Sequence, residues 1–207
     1  MIITTPRLLL RPWQRADLDA LADLPPYPDP LDDDWNWPHA LRENGTADFF
    51  FLGRACDPNR VEWTITRPPG QVIGHLGIRD IDRDARSARL GMGLAAPYVG
   101  MGYGSEALRT FLDSFFGPLE FQQMLLEVRA HNQRARRLYE QLGFREIESY
   151  WQIAGTAEAC HFLLAPEYDA VRSEFRLGRQ HTMVRCLAMR LSVTDWPLDT
   201  ASGETAP

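Results

Sequence analysis

The chain has 207 residues, a length suited to one domain of ordinary size or at most two small ones. Hydrophobic residues make up 44% and charged residues 24%, which excludes a disordered or fibrous chain and leaves enough apolar surface for a core. The longest apolar runs, such as residues 49–52, are too short to cross a bilayer, and the first ten residues lack the apolar core of a secretory signal. We therefore expect a cytoplasmic protein that has no membrane partner.

The charged and metal-binding residue types narrow the function further. The net charge of −6 argues against a nucleic-acid partner, which would call for a basic surface. All 22 cationic residues are Arg, so catalysis by a lysine or a Schiff base is excluded. Three widely spaced cysteines form no C-x-x-C pair, and the five histidines never fall three to five residues apart. We therefore expect no metal.

Strand-like patterns dominate the first half of the chain. Short turns between three of the strands predict an antiparallel meander, to which residues 48–55 are expected to add. The predicted elements are a strand over 7–13, a helix over 16–24, a short helix over 38–44, and strands over 61–66, 72–78 and 87–96.

Helical periodicity marks the second half. Apolar residues at i, i+3, i+4 and i+7 predict an amphipathic helix over 105–116, ended by Gly117. A second helix follows the N-cap residue Asn132, buries residues 135, 138, 139 and 142, and ends at Gly143. The remaining predictions are strands over 124–128, 144–151 and 183–193, helical turns within 157–176, and a disordered tail over 198–207.

A glycine-rich loop separates the third meander strand from the first amphipathic helix. Glycines allow positive φ and close approach of a ligand, and the helix N-terminus adds unpaired N–H groups and partial positive charge. These properties predict an anion site for a phosphate or pyrophosphate, although a simple tight turn is the alternative. The glycine spacing G-x-G-x-G, without Lys, fits neither a Rossmann fingerprint nor a P-loop. The expected site residues are Val99, Gly100, Met101, Gly102, Gly104 and Ser105.

A second block, downstream, carries a family resemblance. Asn132, Ala135, Leu138-Tyr139 and Gly143-Phe144 resemble the motif of the GNAT superfamily of acyl-CoA-dependent N-acetyltransferases. The glycine loop followed by Ser105-Glu106-Ala107-Leu108 is similar to that family's coenzyme A pyrophosphate loop. The opening over residues 5–11 and the ending over 189–196 resemble the branch that includes the RimJ and RimL ribosomal-protein acetyltransferases. The resemblance covers roughly residues 4–151 and 183–197.

The resemblance implies a mixed, twisted α/β sheet of six to seven strands whose central strands splay apart, flanked by helices. Residues 1–197 are expected to form one GNAT domain, with 154–182 as an insertion before the last strand that could form a lid or a dimer contact. Acetyl-CoA is the implied co-substrate, and a homodimer is consistent with the family.

Two positions depart from the family pattern. The family usually opens the loop with Arg or Gln, where this chain has Val99, and often has a basic residue where Met101 stands. Two cationic phosphate partners are therefore missing, which predicts weaker coenzyme binding or a different phosphate clamp. Arg134, Arg136 and Arg137 are candidates to supply the missing charge.

The resemblance also assigns catalytic roles. Tyr139 is placed beside the thioester sulfur as general acid, whereas its position on an apolar stripe also fits a core tyrosine. Glu127 is the leading general base, and partial burial is expected to raise its pKa; an ion-paired surface Glu is the alternative. Glu62 and Asp80, on neighbouring strands, are the other candidate bases.

Further residues are expected to bind the ligands. Asn132 would cap its helix and contact coenzyme A, while Leu94 and Ala96 would offer backbone groups to the pantetheine arm. Ser105 is expected to cap its helix, and Glu106 to interact with the helix dipole. The aspartates within 29–34, with Trp35 and Trp37, could pack a cationic acceptor or form only a solvated, anchored loop.

The reaction so implied is N-acetylation of a primary amine, at a protein N-terminus or on a small molecule, by direct attack on the thioester. A non-catalytic acyl-CoA-binding protein is the alternative that Val99 and Met101 favour.

Overall fold

The computed structural model describes residues 1–197, in which nine strands and six α-helices form a mixed α/β structure. The chain divides into two compact units, Met1–Met124 with the segment from Ser192, and Leu125–Leu191. The prediction of a single domain over 1–197 stays a prediction, and the predicted disordered tail lies outside the described residues.

The regular elements of the described residues are nine strands and six α-helices, with five short 3₁₀ turns between or after them. The strands are β1 (Ile3–Thr4), β2 (Leu9–Pro12), β3 (Val61–Arg67), β4 (Gln71–Asp82), β5 (Ser87–Leu94), β6 (Gln123–Arg129), β7 (Arg145–Thr156), β8 (Phe175–Leu177) and β9 (His181–Ser192). The helices are α1 (Arg15–Ala22), α2 (Trp37–Glu43), α3 (Ala47–Ala55), α4 (Tyr103–Phe116), α5 (Gln133–Gln141) and α6 (Asp169–Arg172).

The first unit is built on the predicted antiparallel meander. Each of β1 to β5 pairs with the next strand, and in the β4–β5 pair Gly74 lies opposite Leu94. Apolar side chains alternate toward a core that includes Leu10, Ile65 and Leu76, all with no exposed surface. The meander ends at Leu94, directly before the segment that leads to the glycine loop.

Residues 48–55 do not join the sheet, so that prediction was wrong. They lie in α3, where Phe50 and Phe51 pack on Trp13 with ring centroids 6.3 and 4.9 Å away. The other apolar side chains of the run face solvent, and Phe49 is 80% exposed. Four consecutive apolar residues have neither a strand period nor a helix period, so the pattern could not decide between the two.

Helix α4 begins two residues before the predicted start. Gly102, with φ 79°, occupies the N-cap position, which places Ser105 inside the first turn. The expectation that Ser105 caps the helix was therefore wrong. The apolar stripe was predicted correctly, because Leu108, Phe111, Leu112 and Phe115 are fully buried.

The second unit contains a long antiparallel pair. Strands β7 and β9 pair over their length with two register shifts, β8 pairs with the other edge of β9, and β6 also neighbours β9. Between β7 and β8 the chain makes the predicted helical turns, two 3₁₀ turns and α6. Leu163 in this segment has no exposed surface, so the segment has its own buried anchor.

Candidate functional site

The glycine loop presents unpaired main-chain donors at the start of α4. Gly100 and Gly102 have φ values of 82° and 79°, a region that side chains other than glycine's rarely adopt. Within the described part of the chain, no backbone N–H from residue 100 to residue 105 donates a hydrogen bond to a protein acceptor. Together with the helix dipole, these donors form a concave surface suited to an anion.

Arg7 lies across this loop. Its Nη1 donates a hydrogen bond to the carbonyl of Met101 at 3.2 Å, and its guanidinium stacks 4.5 Å from the centre of the Tyr103 ring. A second cation, Arg67, lies 5.6 Å from the Tyr98 ring and reaches the Tyr103 hydroxyl at 3.5 Å. The loop therefore has cationic neighbours that come from distant parts of the sequence.

Glu106 holds Arg7 in place. The carboxylate accepts hydrogen bonds from the Thr5 hydroxyl at 2.5 Å, from the Arg7 backbone N–H at 2.9 Å and from Arg7 Nε at 2.6 Å. Although partial burial opposes ionisation, these hydrogen bonds lower the pKa of Glu106 below its usual value. Glu106 thus anchors the N-terminal segment through hydrogen bonds, in addition to the expected interaction with the helix dipole.

The end of β5 forms one wall of an aromatic pocket in the first unit. The Leu94 carbonyl accepts a hydrogen bond from the Tyr27 hydroxyl at 2.6 Å, and the Ala96 carbonyl accepts one from Val99 N–H at 3.3 Å. Each carbonyl keeps a second lone pair for a ligand. The pocket is partly open to solvent. Its lining residues are Leu21, Pro25, Tyr27, Trp35, Asn36, Trp37, Pro38, His39, Gly74, His75, Gly93, Leu94, Ala95 and Ala96.

The aspartate-rich segment leads into this pocket. Residues Pro30–Asn36 form a 3₁₀ helix capped by Asp29, whose carboxylate accepts a hydrogen bond from Leu31 N–H at 2.9 Å. Trp35 lines the pocket, and Trp37 packs edge-on against His75 with ring centroids 5.2 Å apart. The two tryptophans therefore line the pocket as well as anchoring the segment.

His75 is the titratable group of this pocket that sequence reasoning missed. Burial lowers its pKa to about 4, against an opposing effect of the Glu62 charge and with a further lowering by Arg54. The imidazole is therefore neutral at pH 7. Among residues 1–197, no hydrogen bond engages either of its ring nitrogens.

The two alternative bases are both ion-paired. Glu62 accepts hydrogen bonds from Arg54 at 2.9 Å and Arg60 at 2.8 Å, and its side chain is only 8% exposed. Asp80, with φ 52°, bonds to Arg79 at 2.8 Å and Arg89 at 3.1 Å. Both carboxylates thus have cationic partners that occupy their oxygens, which makes each a weak candidate for proton removal.

In the second unit, Asn132 caps α5 as predicted. Its Oδ1 accepts a hydrogen bond from Ala135 N–H at 3.0 Å. The side-chain NH₂ group has no partner in the described part of the chain, so it remains available to donate to a ligand.

Tyr139 lies on α5 with its ring packed 5.7 Å from Phe144. Burial raises the pKa of its hydroxyl to about 12, which keeps the phenol protonated at neutral pH. Within residues 1–197 the hydroxyl has no hydrogen-bond partner. Tyr139, Ala135 and Leu138 are only partly buried, whereas Leu142 is buried, so the predicted apolar stripe is less covered than expected.

Glu127 is exposed on β6, so the expected partial burial was wrong. Buried Leu126 and Val128 flank it, and the alternation of the strand turns its side chain to the opposite face. The three arginines proposed as charge donors are also in this unit. Arg136 donates to the Ala130 carbonyl at 3.1 Å, and Arg137 contacts Gln133 at 3.5 Å.

Neither a metal cluster nor a membrane span is found in the described residues. No group of three or more His, Cys, Asp or Glu side chains in this range is arranged to hold a metal ion. No helix within residues 1–197 has the length and apolar character needed to cross a bilayer.

Comparison with known proteins gives the family. Residues 7–145 match the sequence model of the acetyltransferase (GNAT) domain. The uncharacterised N-acetyltransferase YycN of Bacillus subtilis (strain 168) is 34% identical over 93 residues, which are 44% of this chain and 59% of that protein. The chain therefore spans less than two thirds of the length of this curated relative.

Solved structures share the fold. A spermidine N-acetyltransferase from Vibrio cholerae, in complex with CoA and spermine, has a TM-score of 0.61 at 18% identity, over 91% of this chain and 97% of that one. A GNAT-family acetyltransferase from Bacillus anthracis has a TM-score of 0.61 at 15% identity, over 94% and 99% of the two chains.

The family match and the α/β architecture agree, and the chain belongs to the GNAT family of acetyltransferases. The predicted GNAT fold is confirmed, with nine strands in the described range where six to seven were expected.

Proposed function

We propose that this protein transfers the acetyl group of acetyl-CoA to a primary amine, on a protein N-terminus or a small molecule. The observation that carries the proposal is the glycine loop, where unpaired N–H groups at the start of α4 lie beside Arg7. Such a surface suits a pyrophosphate. The Vibrio cholerae structure with CoA and spermine supports coenzyme A and an amine as the ligand types.

The coenzyme would be held by three groups of residues. The backbone of residues 99–105 would bind the pyrophosphate, and Arg7 would replace the cations that Val99 and Met101 do not provide. Leu94 and Ala96 would bond the pantetheine arm through their carbonyls. The unpaired NH₂ group of Asn132 would donate a further hydrogen bond.

Bound acetyl-CoA supplies the acetyl group as a thioester. Glu127, directly or through water, would take a proton from the amine, because an ammonium has no lone pair for attack. Its exposure on β6 keeps the carboxylate accessible to an acceptor or to water. The Tyr139 hydroxyl would donate a proton to the departing thiolate, and its burial-raised pKa keeps that proton in place until it is needed.

The N-terminal segment supports membership of the RimJ and RimL branch. Thr5 and Arg7, both in the opening that resembles that branch, converge on Glu106 in the first turn of α4. Thr5 and Arg7 therefore share one structural task, which is to hold the N-terminal segment against the start of α4 beside the glycine loop. A cytoplasmic location and a homodimer belong to the same proposal.

The test is a panel of amines and peptides screened for release of free coenzyme A thiol, together with calorimetric binding of acetyl-CoA. We expect binding, and turnover with at least one primary amine. Glu127→Gln is expected to lower kcat, and Glu148→Gln, an exposed glutamate on β7, serves as its matched control. Acetyl-CoA binding without turnover across the whole panel would contradict the proposal and favour a non-catalytic acyl-CoA-binding protein.

A further inference from the structure

The aromatic pocket carries more information about the acceptor than the family does. Its wall includes Leu94 and Ala96, the residues proposed to hold the pantetheine arm, so the pocket opens at the place where the thioester is expected. Because this link depends on the coenzyme position, the inference rests on the proposed function.

Glycines shape the floor of the pocket. A Cβ atom at Gly93 would lie 3.0 Å from the Trp35 ring and 3.1 Å from Cε1 of His75, and one at Gly74 would overlap the Gly93 carbonyl. Bare backbone at Gly93 is what allows the Trp35 indole and the ring of His75, its cross-strand neighbour on β4, to lie against strand β5. The rings thus lie directly on the main chain, and the pocket beside them has mostly apolar and aromatic walls, which suit an aliphatic or aromatic group.

No carboxylate lines this pocket within the described residues. The carboxylate whose charge acts on His75 is Glu62. Its side chain is buried and is already bonded to two arginines. Arg54, one of these two arginines, lies 4.2 Å from the Phe50 ring and 5.8 Å from the ring of Trp37, which lines the pocket. A positive charge is therefore already present beside the pocket. Asp33, in the segment that leads into the pocket, accepts a hydrogen bond from Asn36 Nδ2 at 3.1 Å and does not line the pocket. A second ammonium group inside the pocket would therefore lose its hydration without gaining a counter-ion from the lining residues.

The pocket also contains hydrogen-bonding groups that could engage one polar group of a ligand. Asn36 is committed to the backbone of Tyr27 through bonds of 2.7 and 3.0 Å. His39 bonds to the Leu24 carbonyl through Nε2 at 2.8 Å, which leaves its buried Nδ1 without a partner. The neutral imidazole of His75 and the unpartnered Nδ1 of His39 can each accept a single N–H from an uncharged amine, the form that attacks a thioester.

We propose that this pocket binds a primary monoamine with an apolar or aromatic body, packed against Trp35 and oriented by His75, and that it rejects polyamines. The acceptor thus differs from the spermine present in the Vibrio cholerae structure. Binding the uncharged form would also favour loss of the amine proton, because the apolar walls disfavour an ammonium.

Two matched pairs of amines test the proposal. Butylamine and putrescine have the same carbon chain and differ by one amino group, so their comparison isolates the second charge. We expect kcat/KM for butylamine to exceed that for putrescine by roughly tenfold or more, and phenethylamine to exceed spermidine by a similar factor. Equal or better turnover of the polyamines would overturn the inference and leave the proposed function intact.

Variants locate the effect in the pocket. Trp35→Ala is expected to lower kcat/KM for phenethylamine roughly tenfold, with a smaller effect on butylamine and none on the Kd of acetyl-CoA. Phe49→Ala, at an 80% exposed position outside the pocket, should change neither amine. His75→Glu should raise the putrescine to butylamine ratio, because it adds the missing counter-ion. An unchanged ratio in a variant that still binds acetyl-CoA would count against the inference.

A direct measurement of amine binding distinguishes the monoamine inference from the proposed transfer reaction. Quenching of tryptophan fluorescence by phenethylamine, weaker in Trp35→Ala, would support the pocket assignment even if no amine is acetylated. In that case the proposed transfer reaction would fail and the monoamine site would stand. If phenethylamine and spermidine quench alike, the monoamine inference fails.

Discussion

Arg7 and Glu106, 99 residues apart in sequence, join the start of the chain to the first turn of α4. Two hydrogen bonds connect them, from Arg7 Nε at 2.6 Å and from its backbone N–H at 2.9 Å. The same guanidinium reaches the Met101 carbonyl. The glycine loop is thereby braced by a segment that no local pattern would place beside it.

Replacing Arg7 by Met is expected to weaken acetyl-CoA binding roughly three- to tenfold, because the substitution removes the cation nearest the loop while keeping an unbranched side chain. Calorimetric titration with acetyl-CoA measures the change. Arg83→Met is the matched control, since Arg83 bonds to Asn59 and Pro58 away from the loop. Equal Kd values for the two variants would show that Arg7 has no special role in binding.

Alanine substitutions at Gly102 and Gly53 are expected to change the free energy of unfolding in opposite directions. Gly102→Ala places a side chain at φ 79° and should destabilise the fold by about 1–2 kcal/mol. Gly53→Ala, inside α3 with nothing within 4 Å of the new Cβ, should stabilise it by about 0.5–1 kcal/mol. Urea unfolding of both variants checks the signs, and a stable Gly102→Ala would contradict the assignment of the N-cap.

Local patterns predicted the regular elements of the fold well. The stripe of α4, the cap at Asn132 and the meander of β3 to β5 were all correct, because periodicity and capping act within a few residues. Helix α3 was not recognised, because its apolar run owes its structure to packing of Phe50 on Trp37, with ring centroids 5.1 Å apart. Such a tertiary contact leaves no periodic signal.

Two substitutions at Asn132 separate its cap from its proposed ligand contact. Asn132→Asp keeps an oxygen for Ala135 N–H and should retain stability while weakening acetyl-CoA binding, because the NH₂ donor is lost. Asn132→Ala should lose about 1 kcal/mol of folding free energy as well. Thermal unfolding and calorimetry measure the two effects. If the Asp variant binds acetyl-CoA like the wild type, Asn132 serves only as a cap.

Tyr139→Phe is expected to lower kcat by a factor of about 100 or more, since it removes the proposed proton donor, with little change in the Kd of acetyl-CoA. The pKa of about 12 predicts that wild-type activity is not lost through ionisation of this hydroxyl up to pH 10. Tyr168→Phe, in the segment after β7, is the control. Equal kcat values for wild type and Tyr139→Phe would reduce Tyr139 to a packing residue.

His75 should make the fold sensitive to mild acid. An unfolded histidine has a pKa of about 6.5, whereas burial holds His75 near 4, so between these values the unfolded chain binds a proton that the folded chain does not. Wild-type stability relative to His75→Asn should therefore fall as the pH drops from 6.5 to 4, by up to roughly 3 kcal/mol. Urea unfolding at pH 8, 6 and 5 tests this, and a constant difference would contradict it.

The site was predicted less completely than the fold. Glycine spacing before a helix indicated the glycine loop, and the family resemblance indicated Asn132 and Tyr139. Arg7 and His75 were not identified, because they reach the candidate site only through contacts between distant segments. A lone histidine on an alternating strand gives no sign of the pocket it will line. The pairing of Glu62 with two arginines is equally invisible along the chain.

Under the proposed function, the arginine at the glycine loop also has a consequence for self-modification. A guanidinium stays protonated at physiological pH and offers no nucleophilic lone pair, so Arg7 can stand beside an activated acetyl group without becoming acylated. A lysine in the same place would be a competing acceptor. Because all 22 Lys and Arg positions of this sequence are arginines, it contains no lysine ε-amine that could compete with the acceptor for the acetyl group of the proposed co-substrate.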